Sequence, residues 1–409
     1  MILILFLFLA VNAIKAKEKS LCIEALVTHL KKSKRINLYK EQITLEKKKI
    51  WSEITKDMFS VEYAYKITED PETNAPDDSF KASVIVSGDH ISQIFSIKHL
   101  SEEKKYEVLE SLEKNTEEYL VFVLQLNLKK EFLIIAKQYL NQRRVDLGEV
   151  KAKFKIGEAN QFEVNEVLVK LKEAEIVYQS LLKDIEIYEK SIKLFLEKDD
   201  AFDVDQFLLE NPITKSDIEE DICECLNELQ TDENLSSDVK KEQALANRIS
   251  VLHKCSLFSF FSLELSATKI DFETDDAIDA YGLSFKVNAS PKKFFDLYYN
   301  TKQLEFAKFK AQHAVKKNRI DNEINIMKLA QLYEDIKLYF ELMQVKKTSL
   351  NHNLALYQKG EIKYEKIVQA REEYYNVSEK YYRKYEKLVE NWLRSIKTHG
   401  KLRKMLMNN

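Results

Sequence analysis

Hydrophobic positions along this chain follow two rhythms, and the switches between them mark its parts. From Val164 onward an apolar stripe runs Val164, Val167, Leu171, Ala174, Tyr178, Leu181, Ile185, Tyr188, Ile192 and Phe195, in alternating steps of three and four. A mean step of about 3.5 predicts a helix carrying a coiled-coil seam. Val368, Arg371, Tyr375, Ser378, Tyr382, Tyr385, Val389, Trp392 and Ile396 repeat the spacing, with two polar residues near the start. The tyrosines of this second seam predict wide packing between helices. The other rhythm has period two. Phe59, Val61, Tyr63, Tyr65 and Ile67 alternate with Ser60, Glu62, Ala64 and Lys66, and Phe80 to Ser87 follow beyond a turn at Pro71 and Pro76. Leu257 to Phe272, then Tyr281, Leu283, Phe285, Val287 and Ala289, supply two more stretches. Four strands are predicted, one pair ahead of each long helix.

The helices reverse at glycine. Phe154-Lys155-Ile156-Gly157-Glu158 leads from one helix into the next, and Tyr357-Gln358-Lys359-Gly360-Glu361 does the same in the second half. Upstream of the first glycine, a helical run from about His99 to Lys155 makes roughly 85 Å of rod. One phrase used twice over so long a distance predicts a duplicated chain. The expected fold is mainly α with a small β part, in two tandem repeats of strand pair plus long coiled-coil helical hairpin. Its expected parts are a signal peptide over 1–16, a first repeat over 17–198, an acidic connector with short helices over 199–247, a second repeat over 248–400 and a basic tail over 401–409. The signal is read from the apolar run Ile2 to Val11, which falls short of the roughly 20 residues that span a bilayer and ends in small residues that suit cleavage.

Composition narrows the function classes. Only six Gly and four Pro in 409 residues leave few turns, which agrees with long helices. With 64 basic and 67 acidic side chains the net charge is −3, without the excess of positive charge that nucleic acid attracts. Cys22, Cys223, Cys225 and Cys255 make neither a disulfide framework nor a zinc site. His90, His99, His253, His313 and His352 are scattered without metal spacing, and neither a phosphate loop nor a nucleophile turn is present. No enzyme activity, cofactor or metal is expected.

The stretch Gly157-Glu-Ala-Asn160-Gln-Phe162-Glu163-Val164 through Lys170-Leu171-Lys-Glu-Ala174-Glu175, with its looser echo Gly360-Glu-Ile-Lys363-Tyr364-Glu-Lys366-Ile367-Val368-Gln-Ala370-Arg371, resembles the TolC-like outer membrane efflux protein family. The resemblance covers nearly the whole chain after the signal, and its specificity lies in the duplication more than in either motif. It implies a homotrimer forming a β-barrel in outer membrane lipid, continued into the periplasm by an α-helical barrel. The implied function is a passive exit duct for efflux or type I secretion. The implied partners are a periplasmic adaptor protein and an inner-membrane transporter. Docking would fall at the tips, Ile156, Gly157, Glu158, Lys359, Gly360 and Glu361. Tip gating would involve Glu163, Tyr357, Glu365, Lys366 and Gln369. This chain departs from the family there. Lys366 and Gln369 stand where the resemblance suggests acids, and Ile362 stands where it suggests a basic residue. Tyr357 and Glu163 remain placed to form a latch.

The alternative is a coiled-coil scaffold or adaptor-like protein, periplasmic or secreted, without a membrane barrel. Strands apolar on one side and polar on the other suit a half-buried sheet as well as a barrel with a wet lumen. Four strands close no barrel without further copies of the chain.

Overall fold

The computed structural model describes residues 22–56, 58–66, 77–199, 201–228, 235–256, 260–270, 278–287 and 291–407. The expected signal over 1–16 lies outside them. In chain order the elements are α1 (Glu24–Lys31), α2 (Lys34–Thr55), β1 (Phe59–Lys66), β2 (Asp77–Ser87), α3 (Gly88–Lys155), α4 (Gln161–Leu196), α5 (Val204–Glu210), α6 (Lys215–Glu228), α7 (Ser237–Cys255), β3 (Phe261–Ile270), β4 (Ile278–Val287), α8 (Pro291–Gln358), α9 (Tyr364–Thr398) and α10 (Lys401–Met407). Helices α3 and α8 have 68 residues each. The chain divides into two compact units, one of Met1–Asn37, Glu113–Asn234 and Asp321–Asn409, the other of Leu38–Leu112 and Leu235–Ile320.

In the first unit the seams close. Val164, Leu171, Ala174, Leu181, Ile185, Ile192 and Phe195 of α4 are buried, and Leu140 and Leu147 of α3 pack with the first three. On α9 the buried stripe is Tyr375, Ser378, Tyr382, Tyr385, Val389, Trp392 and Ile396, widened by Tyr381, Leu388 and Leu393. Tyr375 stacks on Tyr139 with ring centres 4.0 Å apart, and Phe132 lies against Tyr375 and Tyr382 at 5.9 and 5.3 Å. Aromatic contacts of this kind add to the free energy of burial. The connector helices α5 and α6 bury Val204, Phe207, Leu208, Ile218 and Ile222 in the same unit.

The second unit holds the sheet. All pairings are antiparallel in the order β1-β2-β3-β4, with Val84 opposite Phe59 and Leu265 and with Leu283 opposite Leu265. On the β3–β4 ribbon Phe261, Leu263, Leu265, Leu283, Phe285 and Val287 share one exposed face, while Glu264 on the other face pairs with Lys286 at 2.8 Å. In the same unit the small side chains Ala246 of α7 and Ala307 and Ala311 of α8 form a buried cluster, with Ile249 packed against it. Arg248–Glu103 at 3.0 Å and Lys241–Glu110 at 2.5 Å tie α7 to α3.

The strands do not form the expected barrel. They make one open sheet with β1 and β4 at unpaired edges, because four strands at about 4.8 Å spacing cannot curl far enough to bring the last edge to the first. No helix among the described residues is long and apolar enough to cross a membrane. The open sheet is what corrects the expected trimeric β-barrel with its α-helical barrel to an open-sheet, mainly helical chain. With the barrel goes its consequence, an outer-membrane duct for efflux or type I secretion, and so does the outer-membrane location with a periplasmic extension.

Both tips have the same backbone geometry. Glu158 N–H donates to Lys153 O at 2.9 Å and Gly157 N–H to Phe154 O at 3.1 Å, while Glu361 donates to Leu356 O at 2.9 Å and Gly360 to Tyr357 O at 2.8 Å. This crossed pair of bonds ends a helix when the penultimate residue is left-handed, and Gly157 (φ 78°) and Gly360 (φ 77°) supply that conformation. A Cβ at either glycine would meet open space, so the cost of substitution is conformational alone. Gly157→Ala and Gly360→Ala should each destabilise the protein by about 1–2 kcal/mol. Gly148→Ala, inside α3 where a Cβ also meets nothing, should stabilise it by roughly 0.5–1 kcal/mol. Urea unfolding of the three variants checks the opposite signs.

Candidate functional site

The candidate site is the end of the first unit where the two hairpins turn. After Gly157 the chain re-enters helix through Asn160, whose Oδ1 accepts from Glu163 N–H at 2.9 Å and whose Nδ2 donates to Glu163 Oε1 at 3.0 Å. Asn160 thus caps α4 reciprocally. Lys363, at the corresponding place before α9, makes no side-chain cap. Ile156, Gly157, Glu158, Lys359, Gly360 and Glu361 are all exposed. Apolar surface accompanies them: Ile156 is 69% and Phe162 75% exposed, and Phe154 and Tyr357 are also open to solvent.

The residues expected to gate the tip make other contacts, and the latch is not among them. Glu163 turns its carboxylate to Asn160, and the Tyr357 ring packs on Tyr364 at 5.7 Å. The hydrogen bond between Glu163 and Tyr357 is not formed. Glu365 instead reaches Lys153 across the hairpins at 3.7 Å, Gln369 donates to Glu373 at 3.0 Å on its own helix, and Lys366 is exposed.

A polar cluster about three to five turns down α3 from the tip joins the hairpins more firmly. Tyr139, Gln142, Arg143 and Asp146 fall at steps of three and four on α3 and so share a face. Arg143 and Asp146 are 2% and 5% exposed. Arg143 donates through Nη1 to Asp146 at 3.3 Å and through Nη2 to Tyr139 Oη at 2.6 Å and to Glu372 of α9 at 3.2 Å. Its guanidinium lies 4.7 Å from the Tyr139 ring centre. Tyr364 of α9 donates to Asp146 at 2.5 Å and accepts from Gln142 at 3.0 Å. Arg371 approaches Asp146 at 3.9 Å, and Lys170 of α4 approaches Glu372 at 3.6 Å. Three helices from both halves are thus pinned to one buried carboxylate–guanidinium pair.

The electrostatics follow from that burial. Desolvation opposes the charge on Arg143, but its partners Tyr139, Glu372 and Asp146 more than offset this and hold the guanidinium charged. The Tyr364 phenol is pushed up to about 12, first by burial and then by the Asp146 carboxylate it bonds. Among the described residues no group of three His, Cys, Asp or Glu is placed to hold a metal. The arrangement suits mechanical coupling between the hairpins. Sequence reasoning missed Arg143, Asp146, Tyr364 and Glu372, although an Arg and an Asp three apart on a long helix, four residues after a tyrosine, carried the signal.

No family model matches the chain, and no curated protein is similar to it in sequence. Solved structures are similar in fold. The Campylobacter jejuni CmeC outer membrane channel superposes with a TM-score of 0.68 at 12% identity, over 93% of this chain and 85% of that one. The outer membrane protein VceC from Vibrio cholerae gives 0.69 at 10% identity, over 92% and 96%. The open-state MtrE outer membrane channel of Neisseria gonorrhoeae gives 0.66 at 10%, over 92% and 88%. At such identity the likeness is one of fold, and at that level this chain is similar to TolC-family channels.

Removing Arg143 takes its charge from the buried Asp146 and from Glu372, so Arg143→Met should cost about 3–5 kcal/mol. Tyr364→Phe removes a hydrogen bond to a charged group and should cost about 1.5–3 kcal/mol. Losses in the double variant should fall short of the sum, by urea unfolding. A phenol raised in the folded state stabilises fully below the unfolded value near 10 and loses that contribution as pH rises toward about 12. Stability should therefore fall across that interval, and less steeply in Tyr364→Phe. Equal slopes would remove Tyr364 from the titration.

Proposed function

We propose that this chain is a non-enzymatic coiled-coil scaffold, adaptor-like and without a membrane barrel, that offers its paired hairpin tips to a helical partner protein. The observation that carries this reading is the pairing itself. Two glycine reversals with apolar side chains exposed around them are held side by side by Lys153–Glu365 at the tip and the Arg143–Asp146–Tyr364 cluster beneath. Exposed Ile156 and Phe162 have no structural task inside the chain, and apolar side chains presented at the end of a rigid support are what a partner helix buries. The scaffold further works as an assembly of copies. In the first unit α8 exposes Met327, Leu338, Phe340 and Val345, and in the second it exposes Phe294, Phe295, Tyr298, Phe306 and Phe309. A 68-residue helix with so much uncovered apolar surface is stable in water only when something covers it.

Two measurements test the proposal. Sedimentation equilibrium should show an oligomer that Leu338→Glu with Val345→Glu dissociates while helix content by circular dichroism is kept. A photoreactive amino acid placed at Ile156 in expressing cells should cross-link to a helical-hairpin protein, and Ile156→Asp with Phe162→Asp should lower recovery of that partner at least tenfold. A monomer that cross-links equally well from Ile156 and from Leu45 of α2 would overturn the reading.

A further inference from the structure

Lys215 occupies a place that its own helix does not explain. It is the first residue of α6, where a positive charge opposes the helix dipole. The turn is already closed without it, since Thr214 N–H donates to Asp217 Oδ2 at 2.8 Å and Asp217 N–H donates to Thr214 Oγ1 at 3.2 Å. The ammonium group lies instead among three rings of α9, 5.2 Å from the centre of Tyr381, 4.6 Å from Tyr382 and 5.6 Å from Tyr385. Glu131 of α3 accepts from it at 2.5 Å and accepts from Tyr382 Oη at 3.1 Å. Tyr385 Oη donates to the Lys215 carbonyl at 3.2 Å and lies 3.4 Å from Glu219.

Three aromatic faces and a carboxylate are the chemistry that recognises ammonium and methylated ammonium groups, because ring quadrupoles attract a cation that has shed its water. The rings are well held, with Tyr381, Tyr382 and Tyr385 all buried. Burial also pushes their phenols above the ordinary range, so they stay neutral and keep their faces electron-rich. The Lys215 side chain is 27% exposed, which leaves the mouth of the cage open to water. We propose that Tyr381, Tyr382, Tyr385 and Glu131 form a recognition site for organic ammonium ions, filled here by Lys215 as an internal ligand. An external cation and the docked N-terminus of α6 then exclude each other, so the site couples ligand binding to release of the connector.

The test uses the full chain with tetramethylammonium chloride as probe and sodium chloride at equal ionic strength as control. In the unaltered protein, tetramethylammonium should speed amide hydrogen exchange over residues 215–222 saturably, and sodium should not. Lys215→Ala should bind the probe roughly tenfold more tightly by tyrosine fluorescence, as the internal competitor is gone, and Lys215→Ala with Tyr381→Leu should lose that binding. Lys215→Met keeps the apolar stem without the charge, and its connector should exchange roughly tenfold faster than the parent's. Identical responses to both salts in the parent and in Lys215→Ala would overturn the proposal. Parent-like exchange in Lys215→Met would do so too, since the stem alone would then hold the connector.

Discussion

Two left-handed backbone positions set the terms for everything else in the first unit. Gly157 and Gly360 let α3 and α8 end abruptly and send α4 and α9 back beside them. Reversal within a few residues places the long helices antiparallel, and only then can stripes spaced at three and four meet stripes of the same spacing. The aromatic seam of α9 is the result. Trp392, Tyr385 and Val389 are fully buried there, on a helix whose other side is charged.

Apolar seams alone would tolerate slippage by a turn, because one leucine or tyrosine fits nearly as well as its neighbour. The polar groups set into α3 supply discrimination. Lys129 binds Asp184 of α4 at 3.0 Å and Glu386 of α9 at 3.1 Å. Gln125 accepts from Tyr188 at 2.9 Å and donates to Glu390 at 2.8 Å. Arg143 and Asp146 repeat the pattern nearer the tip. A shift of α9 by one turn would strand several of these groups at once, each at the desolvation cost of an unpaired buried polar atom. Specificity of register, more than net stability, is the physical use of such pairs in this fold.

The sheet and α8 obey a different constraint. Many of their apolar side chains, among them Leu283 and Phe285 of β4 and Leu338 and Val345 of α8, face outward, so the chain alone leaves these wet. The likeness of fold to outer membrane channels coexists with an open four-stranded sheet, and fold does not carry function by itself. What the chain contributes independently of that likeness is a rigid paired tip, uncovered helix faces and a connector clipped down through Lys215.

Local rules were enough to read much of this from the sequence. Glycine three residues beyond an aromatic, followed by a helix-period stripe, specified both reversals, because positive φ is a property of one residue. Val164 to Phe195 and Tyr375 to Ile396 specified their buried faces, because helical period depends on neighbours in sequence. Helix lengths ran longer than read, with α3 beginning at Gly88 rather than near His99, although Ile91, Ile94 and Phe95 already carry helical spacing ahead of His99. The partners were decided only in the folded structure, some locally and some across the hairpins. Glu163 stood at a matching position for Tyr357, yet Asn160, three residues away, captured its carboxylate, a local contact that costs less entropy to close. Asp146 and Tyr364, 218 residues apart, and Lys215 with its three tyrosines meet only through the hairpin reversals. Whether four strands lie open or close is likewise a matter of edges and twist, which alternation along one strand does not encode.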